Sequence, residues 1–198
     1  NLITQSEDFS NAAWLKGGDI AIESGFLAPD GSNNAYKVSG TNAAMQMNTV
    51  TSPSASRTIY AKTTSGTGKA HLCSFNGNTN NLFTITENWQ RFEVNSATGT
   101  SSNNFYAVDF RGSTSLNEIL LWGSQSESGN LSSYIPTNGS TVQRAVETCN
   151  ESGNSEVFND SEGVLFADIS ALTKIYPYRT ICLSNGSVSD RINIWYWN

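Results

Sequence analysis

Charge is scarce in this chain. Of its 198 residues only 14% are Asp, Glu, Lys or Arg, well under the roughly 25% of ordinary soluble domains. The 11 basic residues are scattered and form no run, and 17 acidic residues leave a net charge of −6. Nucleic-acid recognition needs a basic footprint that displaces counterions, so no nucleic-acid partner is expected. An acidic surface also disfavours docking on anionic lipid. Long apolar runs are missing too, so no membrane insertion is expected. Histidine occurs once, as His71, and cysteine three times, as Cys73, Cys149 and Cys182. No CxxC pair exists, so a zinc site lacks its ligands. Three sparse cysteines make no disulfide framework; Cys149 and Cys182 are read as a pair or, more simply, as free buried thiols.

The same shortages weigh against catalysis. A nucleophilic triad would have to be built on His71, which alternates with Cys73 in a predicted strand, and nothing marks Cys73 as activated. Glu87, Glu93, Asp109 and Glu118 are available carboxylates, but no motif brings two of them to glycosidase spacing. Gly66-Thr67-Gly68-Lys69 is too short for a phosphate loop, and no helix follows it. The expectation is a non-enzymatic protein without a cofactor.

What is abundant is Asn, Ser, Thr and Gly, together with 5 Trp, 7 Tyr and 9 Phe. That mixture suits strands and turns and is poor in helix formers. Strands are predicted near Ile20–Phe26, Ala44–Val50, Arg57–Thr63, Lys69–Phe75, Leu82–Thr86, Gln90–Asn95, Asn104–Arg111 and Glu118–Gly123. Alternation within Asn104–Arg111 puts Tyr106, Val108 and Phe110 on one face, and Phe105, Ala107 and Asp109 on the other. Turn signals separate these runs, among them Pro29-Asp30-Gly31 and Asn76-Gly77-Asn78. Eight short alternating strands predict an all-β jelly-roll sandwich.

A boundary follows Ser133-Tyr134-Ile135-Pro136-Thr137. Residues 1–146 are read as the jelly roll. Residues 147–198 are read as an acidic connector (Glu147 to Asp168) and an incomplete second β-sandwich segment. Its predicted strands are Gly163–Leu172, Tyr178–Ser184 and Arg191–Trp197, the last two joined through Asn185-Gly186. So few apolar strands do not close a unit and leave edges open to pairing.

Several segments resemble a known module. Asn1-Leu2-Ile3 with Ser6-Glu7-Asp8-Phe9-Ser10-Asn11 and Trp14 resembles the opening of a jelly roll found in phage tail and fibre proteins. Related openings occur in carbohydrate-binding modules of glycoside hydrolases. Ala35-Tyr36-Lys37-Val38, Ile59-Tyr60-Ala61-Lys62, Trp89-Gln90-Arg91-Phe92 and Leu121-Trp122-Gly123-Ser124-Gln125 fit the same pattern. So does the ending, Ser133 to Thr137 and then Arg144-Ala145. Glu162 to Asp168 and Ile181 to Gly186 resemble the first strands of a concanavalin-like (laminin-G-like) domain. The resemblance implies a virion or extracellular setting, a glycan or host-surface polysaccharide as partner, and other virion or fibre subunits in a homo-oligomer. It also implies a structural calcium between the first strand and a late one. Glu7 and Asp8 would supply the first half, although Leu120-Leu121-Trp122-Gly123 lacks the acidic pair of the late strand.

Sugar recognition uses aromatic faces against sugar rings, with amides on the hydroxyls. Trp14 and Trp122 are read as core residues. Trp89, Tyr36, Tyr106 and Asn104 are the candidate carbohydrate contacts. Three roles follow: binding host-surface glycan or positioning adjacent fibre domains in a tail fibre or similar appendage, assembly or decoration through strand and oligomer contacts, and an accessory module of a secreted polysaccharide-degrading enzyme.

Overall fold

The computed structural model describes residues 1–48, 54–74, 81–98, 104–143, 178–184, 189 and 191–197. The chain divides into two compact units, Asn1–Ala145 and Val146–Asn198. The first unit contains β1 (Trp14–Lys16), β2 (Ala21–Phe26), β3 (Ala35–Ser39), β4 (Ala44–Asn48) and β5 (Ser54–Lys62). It continues with β6 (Gly68–Ser74), β7 (Leu82–Ile85), β8 (Gln90–Thr98), β9 (Asn104–Asp109) and β10 (Glu118–Ser128). These form two five-stranded sheets, sheet I in the order β1-β4-β9-β6-β7 and sheet II in the order β2-β3-β10-β5-β8. Every pairing is antiparallel. The result is an all-β sandwich of the jelly-roll type. In the second unit the described residues form one hairpin, β11 (Tyr178–Ser184) with β12 (Arg191–Trp197). The predicted strand Gly163–Leu172, the acidic connector and Cys149 lie outside the described residues.

Both sheets bury one face against a shared core. Sheet I contributes Trp14, Met45, Met47, Leu72, Phe105 and Val108; sheet II contributes Val38, Ile59, Phe92, Ile119 and Leu121. Burying such side chains supplies about 1.5–3 kcal/mol each, which is why one face of each strand is apolar. Ile3 and Phe9 from the opening segment are fully buried in the same core.

Two irregularities set which side chains reach which face. The register of β4 against β9 shifts between Met45, opposite Val108, and Gln46, opposite Tyr106. Ala107 is thus an extra residue on β9, a bulge that lets Ala107 and Val108 both join the core. The strict alternation predicted for Asn104–Arg111 is corrected accordingly. Phe105, Ala107, Val108 and Phe110 share the core, whereas Tyr106 and Asp109 do not. On the other neighbour of β9, Cys73 lies between Leu72 and Ser74, which pair with Val108 and Tyr106, and takes a φ of 55°. The second irregularity is on β10, between Trp122 and Gln125. Gly123 there has a φ of 61°, and a Cβ on it would lie 3.2 Å from the Tyr60 ring and 3.3 Å from the Tyr134 ring. Conformation and space both demand glycine at that position.

The segment that ends the module is stitched to the one that opens it. Asn1 donates from Nδ2 to the carbonyls of Ser124 and Ile135, and its Oδ1 accepts from Ile3 N and Ser126 N. Thr137 Oγ1 donates to Ile3 O at 2.7 Å, while Thr137 N donates to Ser6 Oγ at 2.8 Å. Apart from the local Asn1–Ile3 bond, these contacts join residues more than a hundred positions apart, so Ser133–Thr137 closes the sandwich that Asn1–Ser6 begins.

Candidate functional site

The face of sheet I turned away from the core carries a polar group built on Asp109 and Arg111. The bulge of β9 aims Tyr106 and Asp109 at this face. Arg111 follows in the bend after β9 and folds back on both. Its Nε and Nη2 donate to the two oxygens of Asp109 at 2.8 and 2.6 Å, and its backbone N–H donates to Oδ1 at 2.9 Å. This is a forked, charge-assisted pair. The Asp109 side chain is only 3% exposed against 44% for Arg111, so the carboxylate is spent on holding the guanidinium. The hydrogen bond to Asp109 raises the guanidinium pKa further, with burial opposing. The guanidinium carbon lies 5.4 Å from the centre of the Tyr106 ring, within the range of a cation–π contact.

Around this pair lies a cleft of about 240 Å³ lined by Tyr106, Arg111, Gln46, Lys16, Leu15 and the loop residues Gly17, Gly18 and Asn42–Ala44. Asn104 borders the same face and donates from Nδ2 to Gln46 Oε1 at 3.2 Å. Leu15 is 45% exposed. Tyr106 is itself only 5% exposed, so it forms the buried floor beneath Arg111, and the surface the cleft presents is Leu15, the guanidinium, amides and the Lys16 ammonium. Leu15 and the plane of the guanidinium can pack against a sugar ring, and the amides and cations can hydrogen-bond its oxygens. Sequence reasoning had singled out Tyr106 and Asn104, and the structure brings them to one face. It had missed Gln46, Lys16 and Arg111. The usable signal for Arg111 was its position two residues after Asp109 at a strand end.

Trp89 and Tyr36 are placed elsewhere. Tyr36 packs against the main core, edge-on to Phe9 at 5.8 Å, and its hydroxyl donates to Asp8 Oδ1 at 3.0 Å. Burial raises the pKa of its hydroxyl. Trp89 belongs to sheet II's side of the sandwich. Its Nε1 donates to Leu27 O at 3.2 Å, and Lys62 Nζ sits 5.6 Å from its ring centre. It joins a second cluster with Trp122, Tyr60 and Tyr134. The rings of that trio lie 4.7–6.2 Å apart. Trp122 is 6% exposed and donates from Nε1 to Asn34 Oδ1 at 2.9 Å. Trp122 is the buried centre of this cluster, and Tyr60, Trp89 and Tyr134 around it are partly buried.

Glu7 and Asp8, the pair assigned to calcium, face different donors. Glu7 accepts from Asn34 Nδ2 at 2.8 Å and from Tyr134 Oη at 3.0 Å. Asp8 Oδ1 accepts from Ser10 N, Ser10 Oγ and Tyr36 Oη. Burial pushes the Asp8 pKa up, but these hydrogen bonds outweigh it and the net direction is down. Calcium takes six to eight oxygens from carboxylates, carbonyls and waters. Among the described residues no group of three or more His, Cys, Asp or Glu gathers. In this arrangement Glu7 and Asp8 act as acceptors that tie the opening segment to Asn34, to β3 and to Tyr134. His71 is 6% exposed on sheet I, paired in register with Asp109. Cys73 is fully buried, and burial pushes its thiol up to about 12.

No family model matches this sequence, and a search of curated proteins found no relative. Among solved structures, the chain is similar to the CBM22-1 xylan-binding domain of Xyn10C from Paenibacillus barcinonensis. The identity is 12% and the TM-score 0.43, over 62% of this chain and 90% of that one. It is also similar to the C-terminal family 22 carbohydrate-binding module of Xyn10B from Clostridium thermocellum, with 9% identity and a TM-score of 0.45, over 71% and 95% of the two chains. At these scores the likeness carries no argument about ligand.

Proposed function

We propose that Asn1–Ala145 is a non-catalytic glycan-binding module whose ligand lies across sheet I at Tyr106. The observation that carries this reading is the Asp109–Arg111–Tyr106 unit, fixed at the floor of a cleft that Gln46 and Lys16 border. A residue pinned by an ion pair has little rotamer freedom left to lose on binding, which is what a preformed site requires. The finer setting is a virion appendage that meets a host-surface polysaccharide and stands among like subunits. It is supported by the resemblance of the opening and closing segments to phage modules. An accessory module of a secreted polysaccharide-degrading enzyme would use the same cleft.

The test is binding to an array of host-surface and plant polysaccharides, followed by affinity electrophoresis on any glycan retained. Tyr106→Ala is expected to weaken binding about tenfold or more, roughly 1.4 kcal/mol. Trp89→Ala is expected to leave it within about twofold, since Trp89 faces the other side of the sandwich. Equal losses in both variants, or a loss in Trp89→Ala alone, would place the ligand elsewhere.

A second reading, assembly, has one observation in its favour. The β11–β12 sheet has two strands, and Ile192 on it is 62% exposed. Two-stranded sheets with apolar surface are marginal alone and invite pairing. A chain that stays monomeric at high concentration in sedimentation would count against this role.

A further inference from the structure

We propose that the sheet I cleft selects an anionic saccharide, one that presents a carboxylate or sulfate to Lys16 and Arg111, over its neutral counterpart. This rests on the glycan reading and narrows it. The first ground is the charge of the lining. Lys16 and Arg111 both line the cleft and, among the described residues, no Asp or Glu does, Asp109 lying beneath the lining in its pair with Arg111, in a chain whose net charge is −6. A protein this acidic repels polyanions on average, so a cationic cleft is a local departure from its surface.

The second ground is where the nearby carboxylates are directed. Asp109 is buried and grips Nε and Nη2 of Arg111, leaving the Nη1 edge outside the fork. Asp8 acts on Lys16 through space, while burial lowers the Lys16 pKa. Asp8 itself is engaged by Ser10 and Tyr36. Lys16 Nζ donates to Ser10 O at 2.9 Å and to Asn11 O at 2.7 Å. Two of its three protons are thereby placed, and the carbonyls hold the ammonium at the cleft wall.

The third ground is the donor balance. Neutral sugars present hydroxyls that donate as well as accept, and carboxylate acceptors serve them well. This cleft instead offers an ammonium and a guanidinium, which only donate, beside amides that donate and accept. That surplus of donors matches a ligand rich in acceptor oxygens. The loop across the mouth keeps the rim close to β4. A Cβ on Gly17 would lie 3.1 Å from Ala44 O, and one on Gly18 would lie 3.1 Å from Ala43 Cβ. Gly18 has a φ of 63° and Asn42 one of 51°.

The experiment is calorimetric titration of the whole chain with matched pairs. These are polygalacturonate, glucuronoxylan and hyaluronate, each with its carboxyl-reduced form, and carboxyl-reduced chondroitin sulfate with its desulfated form. For at least one pair the anionic member is expected to bind about tenfold tighter, the gap narrowing to about twofold near 0.5 M salt. Lys16→Gln and Arg111→Gln should each narrow the gap. Lys16→Gln keeps the Asp109–Arg111 pair, so its result stands even if the other variant folds poorly. The pair that shows the gap tells carboxylate from sulfate. Equal binding within every pair overturns the anion preference and leaves the glycan reading intact. Binding to no member of any pair overturns both.

Discussion

Trp14→Ala is expected to lower the unfolding free energy by about 3–5 kcal/mol. Trp14 is 1% exposed and sits at the start of β1, on the core face of sheet I. Its ring packs against Phe9 at 5.1 Å and Phe105 at 6.0 Å, so it joins the opening segment to β9. Truncation opens a large cavity that the neighbouring strands cannot collapse into without breaking register with β4. It also leaves Gln5 O without the indole N–H that donates to it at 2.9 Å, a further cost of about 1–3 kcal/mol if the carbonyl stays dry. Total stabilities of about 5–15 kcal/mol are usual, so the variant would stand near the limit of folding. Trp14→Phe keeps most of the volume and should cost clearly less. Urea denaturation followed by circular dichroism measures both. A loss under about 1 kcal/mol for Trp14→Ala would mean that this ring is not a pillar of the core.

The second large effect is expected at Arg57. It projects from β5 of sheet II into the sandwich and is fully buried. Its Nη1 donates to Ser74 O at 2.8 Å and Asn104 O at 2.9 Å, both on sheet I. Its guanidinium lies 5.5 Å from the Phe105 ring centre. Burial pulls its pKa down to about 10, still charged at neutral pH. Arg57→Ala removes the tie between the sheets, orphans two carbonyls and leaves a cavity. The expected loss is about 3–5 kcal/mol. Arg57→Met restores volume without donors, so the difference between the two variants separates packing from hydrogen bonding. Asn104 opens β9 and donates to Gln46, which lines the cleft, so Arg57→Met should also weaken glycan binding modestly. Denaturation curves that overlay the parent for both variants would contradict this role.

Most of the sandwich was legible because its strands obey period two and its turns use Pro, Asn and Gly. The observed β2, β4 through β10 overlap the runs predicted from alternation. β1 was not legible: three residues, one of them the exposed Leu15, carry no period. β3 was visible through the resemblance at Ala35–Val38. The alternation within Asn104–Arg111 misled for a physical reason. One bulged residue, Ala107, moves Tyr106 away from Val108, and only pairing with β4 reveals it. Tyr36 looked like a surface aromatic because its partners Phe9 and Asp8 are distant in sequence. Trp89 stands out in sequence as a candidate contact, but the sheet face it joins is set by its packing with Trp122, which alternation does not show. Arg111 resembles any surface charge in sequence. Its role emerges once the fold places it between Tyr106 and the Gly17–Gly18 loop.

The central claim is that ligand lies on sheet I. Backbone NMR of the isotopically labelled chain, titrated with a glycan it retains, tests this most directly. The amides of Gly17, Gly18, Asn42–Gln46 and Asn104–Arg111 are expected to shift together and saturably, while those around Leu27, Tyr60, Trp89 and Trp122 stay still. Shifts confined to the second group, with the first unmoved at saturation, would contradict the claim.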